Sequence, residues 1–187
     1  RRFSLVSPEG EMSRHSRDRS VIQNNIAIRH KFDGGGKRYY NKSMKNILMI
    51  ATGGTIASKE TGGGLAPAIS SDELLACVPE VAKACNVRAV QPFNLDSTNV
   101  YAPHWLKIAR IIEENYADYD GFVVTHGTDT MAYTAAALSY LVQNIAKPVV
   151  LTGSQKSVYL RDTDARKNLS DAFLFCADGN AHGVRIV

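Results

Sequence analysis

From Asn46 onward the apolar positions fall in short blocks, and the block lengths alternate between those of strands and those of helices. Ile47 to Ala51 is a continuous apolar run of strand length, the pattern of a strand buried on both faces of a parallel sheet. Ser70 followed three residues later by Glu73 is a capping-box signature. It predicts a helix through Cys77, stopped by Pro79. Asn86 to Phe93 reads as a second strand. Pro103 opens a helix in which Trp105, Ile108, Ala109 and Ile112 recur at i, i+3, i+4 and i+7, one helical face. Gly121 to Thr125 predicts a strand, Met131 to Val142 a helix, Pro148 to Thr152 a strand, and Asp164 to Cys176 a helix. Gly183 to Val187 is the start of one more strand. In the helix from Met131, the side chains of Met131, Tyr133, Leu138 and Tyr140 are expected to pack inward. Strands separated by helices of this length require crossover connections. The expected fold class is therefore α/β, an open, mostly parallel sheet with helices on both faces. No internal repeat is present, and the chain stops inside a strand, so residues 44–187 read as a domain truncated at its C-terminal end.

Residues 1–43 follow no such pattern. Ser13 to Ser20 is nearly all Arg, Ser, His and Asp, and Gly34-Gly35-Gly36 is a flexible break. Apolar residues are sparse, densest from Val21 to Ile28 and without periodicity there, so too little surface is available to offset the entropy of ordering. The segment reads as a disordered basic extension outside the fold. A basic arm for RNA and an organelle-targeting peptide are the functional alternatives, and Glu9, Glu11 and Asp18 weigh against the second. Gly36-Lys37 lacks the earlier glycine and the following Ser/Thr of a phosphate loop.

Charge changes the picture once it is divided between these parts. Residues 1–43 hold ten of the 22 Lys and Arg and four of the 18 Asp and Glu, a net of +6. The remaining residues hold 12 basic and 14 acidic groups, a net of −2. The overall +4 comes from the first segment alone, so no nucleic-acid-binding face is expected on the body. The apolar fraction of 44% suits a globular domain, while no apolar run approaches the ~18 residues of a membrane span. Cys77, Cys85 and Cys176 are odd in number and form no C-x-x-C pair. Reduced thiols in a cytoplasmic protein are the expectation.

In open α/β sheets ligands bind outside the carboxyl ends of the strands, and three such ends carry small polar residues. Thr52-Gly53-Gly54-Thr55-Ile56-Ala57 follows the first strand. Its glycines allow a sharp turn and a close backbone approach, and Thr55 is either a nucleophile or a cap for the next segment. Thr125-His126-Gly127-Thr128-Asp129-Thr130-Met131 joins a buried strand to a helix. Asp129 can pair with an ammonium group and nearby backbone N–H groups can hold an anion, although Thr and Asp also cap helices. Asp96-Ser97-Thr98-Asn99 follows the second strand and offers hydroxyls to a carboxylate, or an Asx-type turn. His126 reads as a structural hydrogen-bonder beside the strand end. Five scattered histidines form no i, i+4 pair for a metal.

Taken together, Thr-Gly-Gly-Thr-Ile-Ala after the first strand and His-Gly-Thr-Asp-Thr-Met after a later one resemble the two signature segments of the bacterial-type asparaginase/glutaminase family. Lys59, the glycine-rich stretch to Leu65, and Leu151-Thr152-Gly153-Ser154-Gln155 are most similar to its cytoplasmic type I members. The resemblance implies hydrolysis of L-asparagine, with L-glutamine as the alternative substrate, without metal or organic cofactor. It implies that Thr55 is the nucleophile and that Thr128 and Asp129 are its catalytic companions. It further implies that Asp96, Ser97, Thr98, Thr128 and Asp129 bind substrate, Asp129 gripping the α-ammonium and Ser97 the α-carboxylate. A homo-oligomer of the full-length protein, with no nucleic acid or membrane partner, is implied as well. An ammonia-supplying amidotransferase subunit and a catalytically silent amino-acid-binding remnant are the rivals. Two departures stand out. The lysine of the family's Thr-Asp-Lys triad falls beyond Val187, so neither Lys156 nor Lys167 is assigned that role. Leu65 also stands where many members carry a tyrosine.

Overall fold

A computed structural model describes residues 44–61 and 64–187. The segment 1–43, read above as a disordered extension, and Gly62-Gly63 lie outside the described residues. In chain order, β1 (Lys45–Ala51) leads through one 3-10 turn (Thr55–Ala57) into β2 (Ser58–Thr61) and β3 (Gly64–Pro67). Next come α1 (Ser71–Ala76), a 3-10 segment (Pro79–Lys83) and β4 (Cys85–Val90). A 3-10 turn (Ser97–Asn99) precedes α2 (Ala102–Glu114) and β5 (Gly121–Thr125). The remainder is α3 (Met131–Leu141), β6 (Pro148–Thr152), α4 (Ala165–Ala177) and β7 (Gly183–Ile186).

Five of these strands form one parallel sheet in the order β4-β1-β5-β6-β7. β5 and β6 are buried at every position, which is why their sequences run apolar without alternation. β4, at one edge, alternates buried or half-buried with exposed positions. The sheet divides the core in two. Ile47, Met49, Ala51, Val123 and Val150 face α1 and α4, packing on Leu74, Leu169, Ala172 and Phe173. Leu48, Ile50, Phe122, Val124, Val149 and Leu151 face α2 and α3, packing on Ile108, Ile112 and Leu138. This is the α/β architecture expected from the sequence, with helices on both faces.

Three details differ from the sequence reading. The second strand ends at Val90 rather than Phe93. β2 and β3 form an antiparallel hairpin, with Ser58 opposite Pro67 and Thr61 opposite Gly64, where only a glycine-rich loop was expected. On α3, Met131 and Leu138 point inward, but Tyr133 and Tyr140 are 67% and 77% exposed and do not pack into the core. The inward polar position on that helix is Thr134, fully buried.

Candidate active site

The strand order creates one crevice. From β1 the chain passes to the α1 face on its way to β4, whereas from β5 it passes to the α3 face on its way to β6. The two connections diverge, and the gap between the carboxyl ends of β1 and β5 is the topological switch point where such sheets bind ligands. The segment 52–55 leaves from β1 and the segment 126–130 leaves from β5. Both candidate clusters thus border the same crevice.

Glycines let the loops touch. Gly53 and Gly54 have φ of 104° and 79°, the left-handed region that side chains rarely enter. Gly53 bridges Leu95, through Leu95 N–H to the Thr52 carbonyl at 2.9 Å and Gly54 N–H to the Leu95 carbonyl at 2.9 Å. A Cβ on Gly54 would overlap the Gly127 backbone, and one on Gly127 would lie 2.6 Å from Ser97 Cβ and Oγ. Thr52 donates from its hydroxyl to the Thr125 carbonyl at 2.7 Å, and Thr130 from its hydroxyl to the Ser97 carbonyl at 2.7 Å. All three sequence clusters therefore meet at Gly54, Gly127 and Ser97.

The candidate residues occupy this meeting point unequally. Thr55 opens the 3-10 turn after the glycines and is half-buried, as is Thr128, while Asp129 is exposed. Among the described residues, the side chains of these three make no hydrogen bond. Ser97 is 3% exposed, against Gly127. Asp96 and Thr98 instead bond each other. The Asp96 carboxylate accepts from Thr98 N–H at 2.9 Å and from the Thr98 hydroxyl at 2.8 Å, which holds it below the usual carboxylate range. Their hydrogen bonds fasten the 3-10 turn that carries Ser97. Lys156 and Lys167 pair at the surface with Asp162 and Asp171.

Two groups of residues stand out only in three dimensions. His126 is fully buried, with Nδ1 2.7 Å from the Gly127 carbonyl and Nε2 2.9 Å from Thr134 Oγ1. Trp105 Nε1 donates to the same Thr134 oxygen at 2.9 Å. Burial pushes the His126 imidazole below its ordinary value, keeping it neutral, against a smaller opposing effect of the Gly127 carbonyl. The second group holds the segment after Thr55. Ser58 donates its hydroxyl to the Gly54 carbonyl at 2.9 Å, Ser157 donates to the Ser58 carbonyl, and Lys59 pairs with Glu73 at 2.9 Å. Ser70 N–H, then Lys59, then the Ser70 hydroxyl hold the Glu73 carboxyl at about 2. Thr134 and Trp105 carried no signal beyond helix periodicity, since their partners lie on other elements. Among the described residues no group of three or more His, Cys, Asp or Glu is placed to hold a metal. Nor, among them, is any helix long and apolar enough to cross a membrane.

The family model described as asparaginase, N-terminal, matches residues 46–187. A subunit of the glutamyl-tRNA(Gln) amidotransferase from Pyrococcus abyssi is 46% identical over 131 residues, 67% of this chain and 30% of that protein. An L-asparaginase from Thermococcus kodakarensis is 40% identical over 134 residues, 71% of this chain and 41% of that protein. The chain thus spans well under half the length of these curated relatives. The crystal structure of L-asparaginase I from Vibrio cholerae superposes with a TM-score of 0.70 at 36% identity, covering 78% of this chain and 44% of that one.

Proposed function

The chain belongs to the asparaginase family, and from that premise we propose that residues 44–187 form the N-terminal catalytic domain of an amidohydrolase that converts L-asparagine to L-aspartate and ammonia. The observation that carries this reading is the convergence of three loops at the switch point, with Gly54 against Gly127 and Gly127 against Ser97. In this reading Thr55 Oγ attacks the side-chain amide carbon. The C–N bond breaks, nitrogen leaves as ammonia after taking a proton, and an acyl-threonine ester remains. Water then adds to the ester, L-aspartate departs, and the Thr55 hydroxyl is restored. Threonine is a weak nucleophile at its free pKa, so the step needs a base. Thr128 and Asp129 stand on the facing loop, where Asp129 also meets the substrate's ammonium group. Ser97, with the turn that Asp96 and Thr98 brace, receives the α-carboxylate. Neither metal nor organic cofactor enters this chemistry.

The test is ammonia release from L-asparagine and L-glutamine by the full-length protein, wild type and Thr55→Ala. The variant is expected to lose turnover by at least about 10³-fold while the fold is retained, the scale of losing a nucleophile. Residual turnover within tenfold of wild type would end the assignment of Thr55. A second reading is favoured by the 46% identity to an amidotransferase subunit. There the same amide hydrolysis supplies ammonia to a partner. Turnover that appears only with a partner protein and tRNA selects it, whereas turnover by the protein alone selects the first. Binding of L-asparagine without turnover in either setting identifies a silent binding module.

A further inference from the structure

The donors and acceptors around His126 admit one arrangement of protons. The Gly127 carbonyl only accepts, so Nδ1 carries the hydrogen. In a neutral ring Nε2 is then the acceptor, and the Thr134 hydroxyl donates to it. The Thr134 oxygen in turn accepts from Trp105 N–H. Every polar group in the chain is used, from an indole on α2 through a hydroxyl on α3 to a carbonyl at the crevice.

That last bond has a stereochemical consequence. The backbone contains no cis peptide among the described residues, and in a trans peptide the carbonyl and the next N–H point in opposite directions. With the Gly127 carbonyl turned inward to His126, the Thr128 N–H points the other way. Among the described residues that N–H meets no acceptor. Glycine at 127 is required by the close approach of Ser97, yet glycine leaves the adjoining peptide little restraint of its own. The bond to the imidazole adds a restraint on that peptide.

We propose that His126 is a positioning residue: by holding the Gly127 carbonyl inward it aims the Thr128 N–H at the oxygen of a carboxamide bound in the crevice. The inference rests on the amidohydrolase reading for its substrate, while the bond that does the positioning belongs to the fold. Removing one such donor from an oxyanion site lowers kcat by about 10²–10³-fold, because the donor acts on charge that develops in the transition state. Losing its aim belongs on the same scale.

The experiment compares His126→Asn and His126→Leu in the full-length protein, with L-asparagine as substrate. The Asn carboxamide nitrogen replaces Nδ1 and keeps a donor for the Gly127 carbonyl, whereas Leu keeps only volume. His126→Leu is expected to lose about 10²-fold in kcat with KM within about threefold. His126→Asn is expected to recover most of that loss. Equal losses in both variants, or kcat unchanged in both, would overturn the proposal. Thr134→Val, which removes the Nε2 partner and the acceptor of Trp105 N–H but leaves the Gly127 bond, serves if the His126 variants fail to fold, and is expected to lower kcat about tenfold at constant KM. Imidazole 15N spectra of the wild type provide a readout free of turnover. Nδ1 protonated and Nε2 bare is expected at pH 8, and the opposite tautomer refutes the positioning bond. If the wild type releases no ammonia, either alone or with a partner protein and tRNA, the amidohydrolase reading fails by itself. The positioning bond then stands or falls on this tautomer and on a shift of the Thr128 amide resonance in His126→Leu.

Discussion

A buried neutral imidazole carries a pH signature that is separate from any chemistry it supports. Burial lowers the folded-state pKa of His126, while in the unfolded chain it titrates near the ordinary value of about 6.5. Below that pH the unfolded state takes up a proton that the folded state refuses, so stability falls as pH falls and is unaffected above it. Denaturant unfolding at pH 8, 6.5 and 5 is expected to show a loss of up to about 1.4 kcal/mol per pH unit below pH 6.5, absent from His126→Asn. A slope identical in the two proteins would mean that the imidazole protonates inside the fold. At this scale the sequence was informative about residue types and silent about partners. The Thr-Gly-Gly-Thr and His-Gly-Thr-Asp segments were visible as clusters after strands. That Gly54 abuts Gly127, and that Gly127 excludes a side chain because of Ser97, depends on contacts between loops far apart in the chain. His126 was legible as a hydrogen-bonder, but Thr134 and Trp105 came from two helices whose relative placement no local pattern specifies.

Among elements, the strongest local signals gave the firmest expectations. Ser70 and Glu73 form the full capping box, with the Ser70 hydroxyl accepting from Glu73 N–H at 3.2 Å and the Glu73 carboxylate from Ser70 N–H at 2.8 Å. The same carboxylate pairs with Lys59 on β2, so one cap ties α1 to the hairpin that follows Thr55. Ser70→Ala is expected to cost about 1 kcal/mol in chemical denaturation. The Glu73 carboxyl, held at about 2, contributes stability that is complete above its ordinary value near 4.5 and lost as pH falls toward 2. Acid titration of Glu73→Gln should lack that component. Where periodicity is weak, the reading failed for physical reasons. α3 has apolar or small residues on every side, so its sequence does not show which face is buried. The aromatic Tyr133 and Tyr140 look like core but face solvent, while the hydroxyl of Thr134 is taken inward by His126 and Trp105. The hairpin of β2 and β3 went unread because four-residue strands around a run of glycines carry no apolar alternation to register.

For the whole molecule, the sheet order decides where chemistry can occur and the charge division decides what else can bind. Alternation of strand and helix implied a parallel sheet, but not that β1 lies between β4 and β5, and only that order opens the crevice beside Thr55. Charge is distributed on a different plan. The body carries 12 basic against 14 acidic residues, while residues 1–43 carry ten against four. Polyanion affinity scales with the number of phosphates neutralised by Lys and Arg and falls steeply with salt. An acidic body with four of its seven lysines paired, at Asp120, Glu73, Asp162 and Asp171, has few cations to offer in a cluster. Fluorescence anisotropy with a labelled oligonucleotide at 50 and 200 mM salt should therefore detect binding only when residues 1–43 are present. Any such binding should weaken with salt in proportion to the phosphates contacted. If deletion of residues 1–43 leaves affinity and salt slope unchanged, the binding surface lies on the folded body. The net charge of the body would then be hiding a local basic patch, and the crevice would have to be considered beside a nucleic-acid partner.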